Sequence, residues 1–240
     1  MDTRFWGPDG WNLLHSIAYN YPKNPTIKLQ STVKKFFKTL PYVLPCVYCR
    51  NSLSKYFKEL PIDDKLKNNT DLFKWLYTIH NKVNRKLTLQ NLNKKPDPTI
   101  SKVKRDYKKF TLYNNKDTCI RAPGITFLYS IAFNYPITKT DFKTAVRYKN
   151  HKLFLKLLGE LYPFNQFKKK YQAFLKRTDL DKVLDRRCHF KRWVYKLDNI
   201  LHTNCPSYKE KCKDIEIYRA KCKITTCRKA PNKYILNKSR

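Results

Sequence analysis

The chain reads as an all-α protein. Its apolar residues recur at three- and four-residue intervals almost throughout, segments of period two are nearly absent, and prolines fall where the intervals break off. Trp11, Leu14, Ile17, Ala18 and Tyr21 predict a first helix, stopped by Pro22. Val33, Phe36, Phe37 and Leu40 predict a second that ends at Pro41. A third starts near Pro45 and runs through Leu53, Tyr56, Phe57 and Leu60 to Pro61. A fourth follows the cap Thr70 and carries Leu72, Phe73, Leu76, Ile79, His80 and Val83. Residues 88–118 are polar and hold two prolines, as expected of a connector with one short helix near 101–110.

After the connector the pattern starts again. The run from Ser16 to Pro22 (SIAYNYP) is echoed by the run from Ser130 to Pro136 (SIAFNYP), 114 positions on. Trp75-Leu76-Tyr77 is echoed by Trp193-Val194-Tyr195, 118 positions on. Two echoes in the same order predict a duplicated helical unit, the alternative being an unrelated helical appendage with a biased aromatic composition. The expected organisation is a first domain over 1–115, a second helical domain over 120–204 and a Cys- and Lys-rich tail over 205–240. In the second copy Trp11 aligns with Ile125, His15 with Tyr129 and His80 with Asp198, while Cys46 and Cys49 fall near Phe164 and Phe167. The copy thus loses its thiols and polar rings and is expected to be non-catalytic.

Composition narrows the function. With 240 residues, 41% of them hydrophobic, the chain can bury a sizeable core. Four scattered glycines cannot build a Gly-rich phosphate loop, which excludes Rossmann and P-loop sites. A net charge of +34 predicts nucleic acid, anionic membrane surfaces or acidic proteins as partners, with Tyr and Phe among the lysines suited to stacking on bases. No apolar run reaches the roughly 20 residues of a membrane span, and no secretory leader is visible, so a cytoplasmic protein is expected. Eight cysteines in that setting point to redox or metal chemistry more than to structural cross-links.

Pro45-Cys46-Val47-Tyr48-Cys49 puts two thiols at CxxC spacing where the third helix starts. There the unpaired backbone N–H groups and the positive helix end favour a thiolate, as do Arg50 and Lys55. Three readings compete. A zinc knuckle would need a second pair at matching distance, and Cys205/Cys212 and Cys222/Cys227 are poorly spaced for one, so no metal is expected. A thioredoxin motif would need a βαβ pattern that is missing. A helical redox dithiol would need an electron acceptor nearby. The motif alone does not choose among them.

Its neighbours do. Trp6-Gly7-Pro8, Trp11 and Leu14-His15, then the CxxC, then His80-Asn81-Lys82-Val83-Asn84-Arg85-Lys86-Leu87 occur in an order and at intervals that resemble the Erv/ALR family of FAD-linked sulfhydryl oxidases. Taken singly, Trp11 and His15 are ordinary half-buried helix residues and HNKVNRKL is a solvated face; the three blocks together are far more specific and cover about residues 3–110. Trp11 and His15 lie four apart on one helical face, as do His80 and Asn84, so two helices could present flat and hydrogen-bonding groups to a planar ligand, with Lys86 toward its phosphates.

The resemblance implies a bundle of four helices plus a short fifth, with FAD lined by Gly7, Trp11, His15, Tyr19, Cys49, His80, Asn81, Val83, Asn84 and Lys86, and with Tyr107 near the adenine. It implies Cys46 as the exposed interchange thiol and Cys49 as the flavin-proximal one, dithiol proteins or a thioredoxin-like relay as substrates, and O2 as final acceptor giving H2O2. It also implies a flexible shuttle pair, for which Cys222/Cys227 is the first candidate and Cys205/Cys212 the second, a local structural disulfide being the alternative for the former; Cys119 and Cys188 have no role assigned. The family's brace between the fourth helix and the following segment is absent, since Tyr77 and Ile100 stand where its cysteines would be. Relatives dimerise through helical faces, so a homodimer or an internal pseudo-dimer is expected. The Lys-, Asn- and Tyr-rich composition resembles the versions carried by large DNA viruses, which would place the chain in host cytoplasm and virion. The competing reading is a basic nucleic-acid-binding or virion structural protein with a vestigial CxxC.

Overall fold

In the computed structural model, residues 3–92, 95–113, 122–141, 145–202 and 205–222 are described. Eleven α-helices are found among them: α1 (Thr3–Tyr19), α2 (Ile27–Val43), α3 (Val47–Glu59), α4 (Asn69–Leu89), α5 (Ile100–Tyr113), α6 (Ile125–Phe133), α7 (Ala145–Leu161), α8 (Asn165–Lys176), α9 (Leu180–Val183), α10 (Arg187–Leu201) and α11 (Tyr208–Cys222). The all-α expectation holds, and no described helix is long and apolar enough to cross a membrane.

Three helix limits differ from the periodicity reading. α1 starts at Thr3, well before Trp11, although Gly7, Pro8 and Gly10 are poor helix formers. Tertiary contacts hold that first stretch: Trp6 stacks on Phe127, and the Asp9 carboxylate accepts from the backbone N–H groups of Gly124, Thr126 and Phe127 at the start of α6. Gly124 itself has φ +90°, and a Cβ there would come within 2.5 Å of Leu13, so only glycine fits where α6 lies against α1.

α2 does not stop at Pro41 but continues to Val43, closing with a Leu44 N–H to Leu40 carbonyl bond of 3.1 Å. Proline removes one donor, yet Val43 and Leu44 are buried, and their burial offsets that loss. α4 is capped by Asn68, not Thr70: its side-chain oxygen accepts from Asp71 N–H at 2.9 Å while its amide donates to the Asp71 carboxylate.

The helices form one contiguous apolar core that runs through both halves of the chain. α1 packs on α4 and α6, α2 lies along α7, and α10 lies on α6. Phe36 of α2 stacks on Phe154 of α7 with ring centroids 5.4 Å apart.

The two halves match in detail. The first residues of α2, α3 and α4 have counterparts 118 positions on, at the starts of α7, α8 and α10. The Tyr21 hydroxyl donates to Leu66 O and the Tyr135 hydroxyl to Leu184 O. Trp75 Nε1 donates to Leu60 O, and Trp193 Nε1 to Thr178 Oγ1. Tyr77 OH reaches Pro98 O at 2.8 Å, and Tyr195 OH reaches Pro206 O at 3.0 Å. In the first half this last bond ties α4 to the segment before α5, where the expected cysteine brace is absent.

Candidate active site

Cys46 is the N-cap residue of α3, with extended φ/ψ of −110° and 129°, and Cys49 sits in the first turn. Both side chains are therefore at the helix end whose N–H groups and partial positive charge favour a thiolate. Phe164 caps α8 with nearly the same angles, −122° and 125°.

Burial reverses one expectation. Cys46 is only 5% exposed, whereas Cys49 is half-buried. α2 runs two residues past Pro41, and Leu44, Pro45 and Cys46 after it are buried, so the interchange thiol is not an open surface group. Arg50 follows directly. Its Nη1 donates to Leu44 O at 2.7 Å; burial pulls the guanidinium below its ordinary range, and Cys46 and Cys49 pull it back.

Both cysteines line a cavity of about 900 Å³ between α1, α3, α4, α5 and the loop at 95–98, at the upper end of the range for cofactor pockets. Gly7, Trp11, His80, Val83, Asn84, Lys86 and Tyr107 are on its wall. His15, Tyr19 and Asn81 are not, each for a geometric reason. His15 is 1% exposed and roofed by the other rings: its Nε2 lies 3.1 Å from His80 Nδ1, and the Tyr107 ring stacks over it at 5.1 Å. Tyr19 is two helical turns, ~12 Å, beyond Trp11 and meets Phe73 edge-on instead. Asn81 is rotated about 100° around α4 from His80, off the face that Val83 and Asn84 share with it.

Trp11 and His80 are themselves stacked, 3.9 Å apart and 13° from parallel. A planar ligand would have to lie against this pair rather than between its members. Burial lowers the His15 pKa to about 3, with His80 adding to the effect, and that of His80 to about 4 although Asp97 opposes it. Both rings are neutral at pH 7, and one proton bridges them.

Several wall residues carry no signal in the helical pattern. Arg4, Lys95 and Lys102 join Lys86 to give four cations on the wall against one wall carboxylate, Asp97, with Lys102 also paired to Asp106 at 2.9 Å. Asp97 accepts from Asn84 Nδ2 at 3.0 Å, which fixes that amide, while Lys86 Nζ donates to Ser52 Oγ. Phe127 closes the cavity from the other half of the chain, and a contact across so many residues leaves no local trace. The indole Nε1–H of Trp6, also on the wall, is buried with no hydrogen-bond partner among the described residues. An orphaned donor, a flat apolar face and a cationic margin together fit a planar ligand with an anionic arm.

Elsewhere Asp198, His202 and Cys205 come within metal-ligand spacing of one another. Ala122 N–H donates to His202 Nε2 at 2.7 Å, which puts the ring proton on Nδ1, 2.7 Å from Asp198 Oδ1. Neither ring nitrogen keeps a lone pair for a cation. The Cys222 side chain, Cys227 and Cys119 lie outside the described residues.

Fold and site thus define a helical protein with a CxxC dithiol on the wall of a cofactor-sized, cation-lined cavity. The family model described as Erv1/Alr matches residues 8–108. A probable FAD-linked sulfhydryl oxidase of Acanthamoeba polyphaga mimivirus is 38% identical over 85 residues, 35% of this chain and 59% of that protein. A mitochondrial FAD-linked sulfhydryl oxidase of Saccharomyces cerevisiae is 34% identical over 86 residues, 36% and 44% of the two chains. A putative FAD-linked sulfhydryl oxidase of Invertebrate iridescent virus 6 is 33% identical over 92 residues, 36% and 83%. The chain belongs to the Erv1/Alr family. It spans about half the length of the first two of these relatives.

Proposed function

We propose that this chain is an FAD-dependent sulfhydryl oxidase that makes disulfides in dithiol proteins. The observation that carries the reading is that Cys49, Trp11, His80 and Asn84 share one cavity with Cys46 at the start of a helix. Trp11, His80, Val83, Asn84 and Tyr107 would hold the ring systems, and Lys86, with Arg4, Lys95 and Lys102, the diphosphate. When bound, the flavin supplies a two-electron acceptor that O2 reoxidises, giving H2O2.

The protein's own part is thiol exchange. A substrate thiolate attacks Cys46 of the Cys46–Cys49 disulfide; the S–S bond breaks, and Cys49 leaves as a thiolate stabilised by the helix end. The second substrate thiolate then attacks the substrate sulfur of the mixed disulfide and expels Cys46. The substrate departs as a disulfide, and its two electrons reside on the Cys46/Cys49 pair, with Cys49 facing the cavity. Because Cys46 is buried, the first attack requires the α2–α3 junction to open or a slender donor to reach in. A shuttle pair drawn from Cys222 and Cys227, or from Cys205 and Cys212, would serve that need.

The domain reading is proposed on the same footing: a catalytic unit over 1–115, a thiol-less copy over 120–204 and a tail over 205–240. The matched helix starts, hydrogen bonds and caps support it, and the pairing of α1 with α6 and of α2 with α7 is what an isologous two-fold interface within one chain would look like. The chain would then behave as a monomeric pseudo-dimer with one flavin. Its viral relatives support a host-cytoplasmic setting, and the +34 charge supports acidic clients.

The test is direct. The purified protein should be yellow, hold about one flavin per chain, and consume O2 when given dithiothreitol; Cys49→Ala should abolish uptake while flavin stays bound. A colourless protein with strongly salt-dependent DNA binding would overturn the reading in favour of a nucleic-acid-binding protein.

A further inference from the structure

The α2–α3 junction that presents Cys46 is gripped from both halves of the chain. From α3, the Arg50 guanidinium donates to Leu44 O at 2.7 Å. From the first turn of α7, Arg147 Nε donates to Tyr42 O at 3.4 Å. Two guanidiniums thus hold carbonyls two residues apart on the segment that leads into the N-cap thiol.

The charges are linked as well as the contacts. Burial, then Arg50, pulls the Arg147 pKa to about 10, and Arg50 interacts in turn with Cys46 and Cys49. Among the described residues, three further titratable groups beside this set are neutral. His151, one turn along α7 with Nδ1 2.7 Å from Arg147 O, is buried and held neutral, its pKa about 3. Tyr135, after α6, and Tyr56, on α3 facing Cys49, are pushed up by burial and stay protonated.

We propose that Arg147, supplied by the non-catalytic half, is a positioning residue of the dithiol site: it pins the junction through Tyr42 and, together with Arg50, keeps reduced Cys46 in its thiolate form. The proposal rests on reading Cys46 and Cys49 as the redox pair. It gives the second half a role at the chemistry, because a unit without thiols still lends its charge to the thiol that meets substrate.

The experiment follows the pH dependence of iodoacetamide alkylation at Cys46, read by peptide mass spectrometry, in the full-length reduced protein kept under nitrogen. Arg147→Gln should raise the apparent Cys46 pKa by about half a unit, read from the midpoint of the rate–pH profile after normalising each variant to its own high-pH plateau, so that a change in access to the buried thiol cancels; at equal plateau this is about threefold less thiolate near pH 7. Arg147→Lys, which keeps the charge, should recover most of the midpoint shift. Arg147 is half-buried, and circular dichroism of both variants confirms the helical fold. Superimposable profiles for Arg147→Gln and the parent, or an Arg147→Lys profile shifted as far as that of Arg147→Gln, would overturn the proposal. Flavin content of the same samples tests the oxidase reading separately, so the two can fail independently.

Discussion

Trp6 and Phe127 stack with ring centroids 5.5 Å apart and 25° between their planes. One belongs to α1, the first helix of the first half, and the other to α6, the first helix of the second half, and both line the cavity. The cofactor pocket is therefore a property of the two halves together. Four expectations follow from this arrangement and its surroundings.

Phe127→Leu stays apolar, at some loss of volume, but removes the ring pair, whose geometry is worth about 0.5–1.5 kcal/mol beyond its area. FAD titration of the apoprotein should show several-fold weaker binding, while the Cys46 alkylation rate stays at the parent value. Unchanged FAD affinity would mean that Phe127 is a bystander on the wall.

Asp9 accepts three backbone N–H bonds at the start of α6, at 2.9, 2.7 and 3.2 Å. Asp9→Ala should cost about 1–2 kcal/mol in urea unfolding, the range for a lost N-cap. Hydrogen exchange should localise the loss: the amides of Gly124, Thr126 and Phe127 lose protection ahead of those in α4.

Stability should fall on mild acidification. His15, His80 and His151 fold with pKa values of about 3, 4 and 3, below the unfolded value near 6.5. The unfolded chain therefore binds more protons in this window, and unfolding free energy rises with pH. The benefit is complete above pH 6.5 and drains away toward pH 4, by at most about 1.4 kcal/mol per pH unit per histidine. Urea midpoints between pH 7.5 and 5 should show it, and His151→Leu should flatten the slope by up to one proton; a midpoint that does not move with pH contradicts the burial of all three.

Tyr77→Phe deletes the hydroxyl bond to Pro98 O and should cost about 1 kcal/mol. Its second effect is local. The loop at 95–98 carries Asp97, the partner of Asn84, so FAD affinity should drop while the start of α3 is untouched. Loss of stability without loss of affinity would show that the tie braces the bundle but not the pocket.

Much of the site was legible from spacing together with the family resemblance, which alone implied Gly7, Val83 and Tyr107. Trp11, His80, Val83, Asn84 and Lys86 reach one wall because helical geometry puts residues three and four apart on one face. His15, on the same face as Trp11, was legible as a neighbour but not as a buried one, because the rings that cover it come from α4 and α5. Helix limits failed where a distant contact outweighed local propensity, as at Gly7-Pro8, held by Phe127 and the Asp9 cap, and at Pro41, carried onward by the burial of Val43 and Leu44. Asn68 and Thr70 are both good caps, and nothing local separates them.

Residue order alone settled that this chain is helical, that two thiols stand one turn apart at a helix start, and that a flat, polar face waits on α1 and α4, since each of these depends only on near neighbours along the backbone. Packing settled the rest: that both thiols line one cavity with Cys46 the more buried of the two, and that Phe127 and Arg147 from the far half complete the wall and grip the junction. Such pairings join residues about a hundred positions apart, where no periodicity operates and only the shape of the shared core selects which side chains meet.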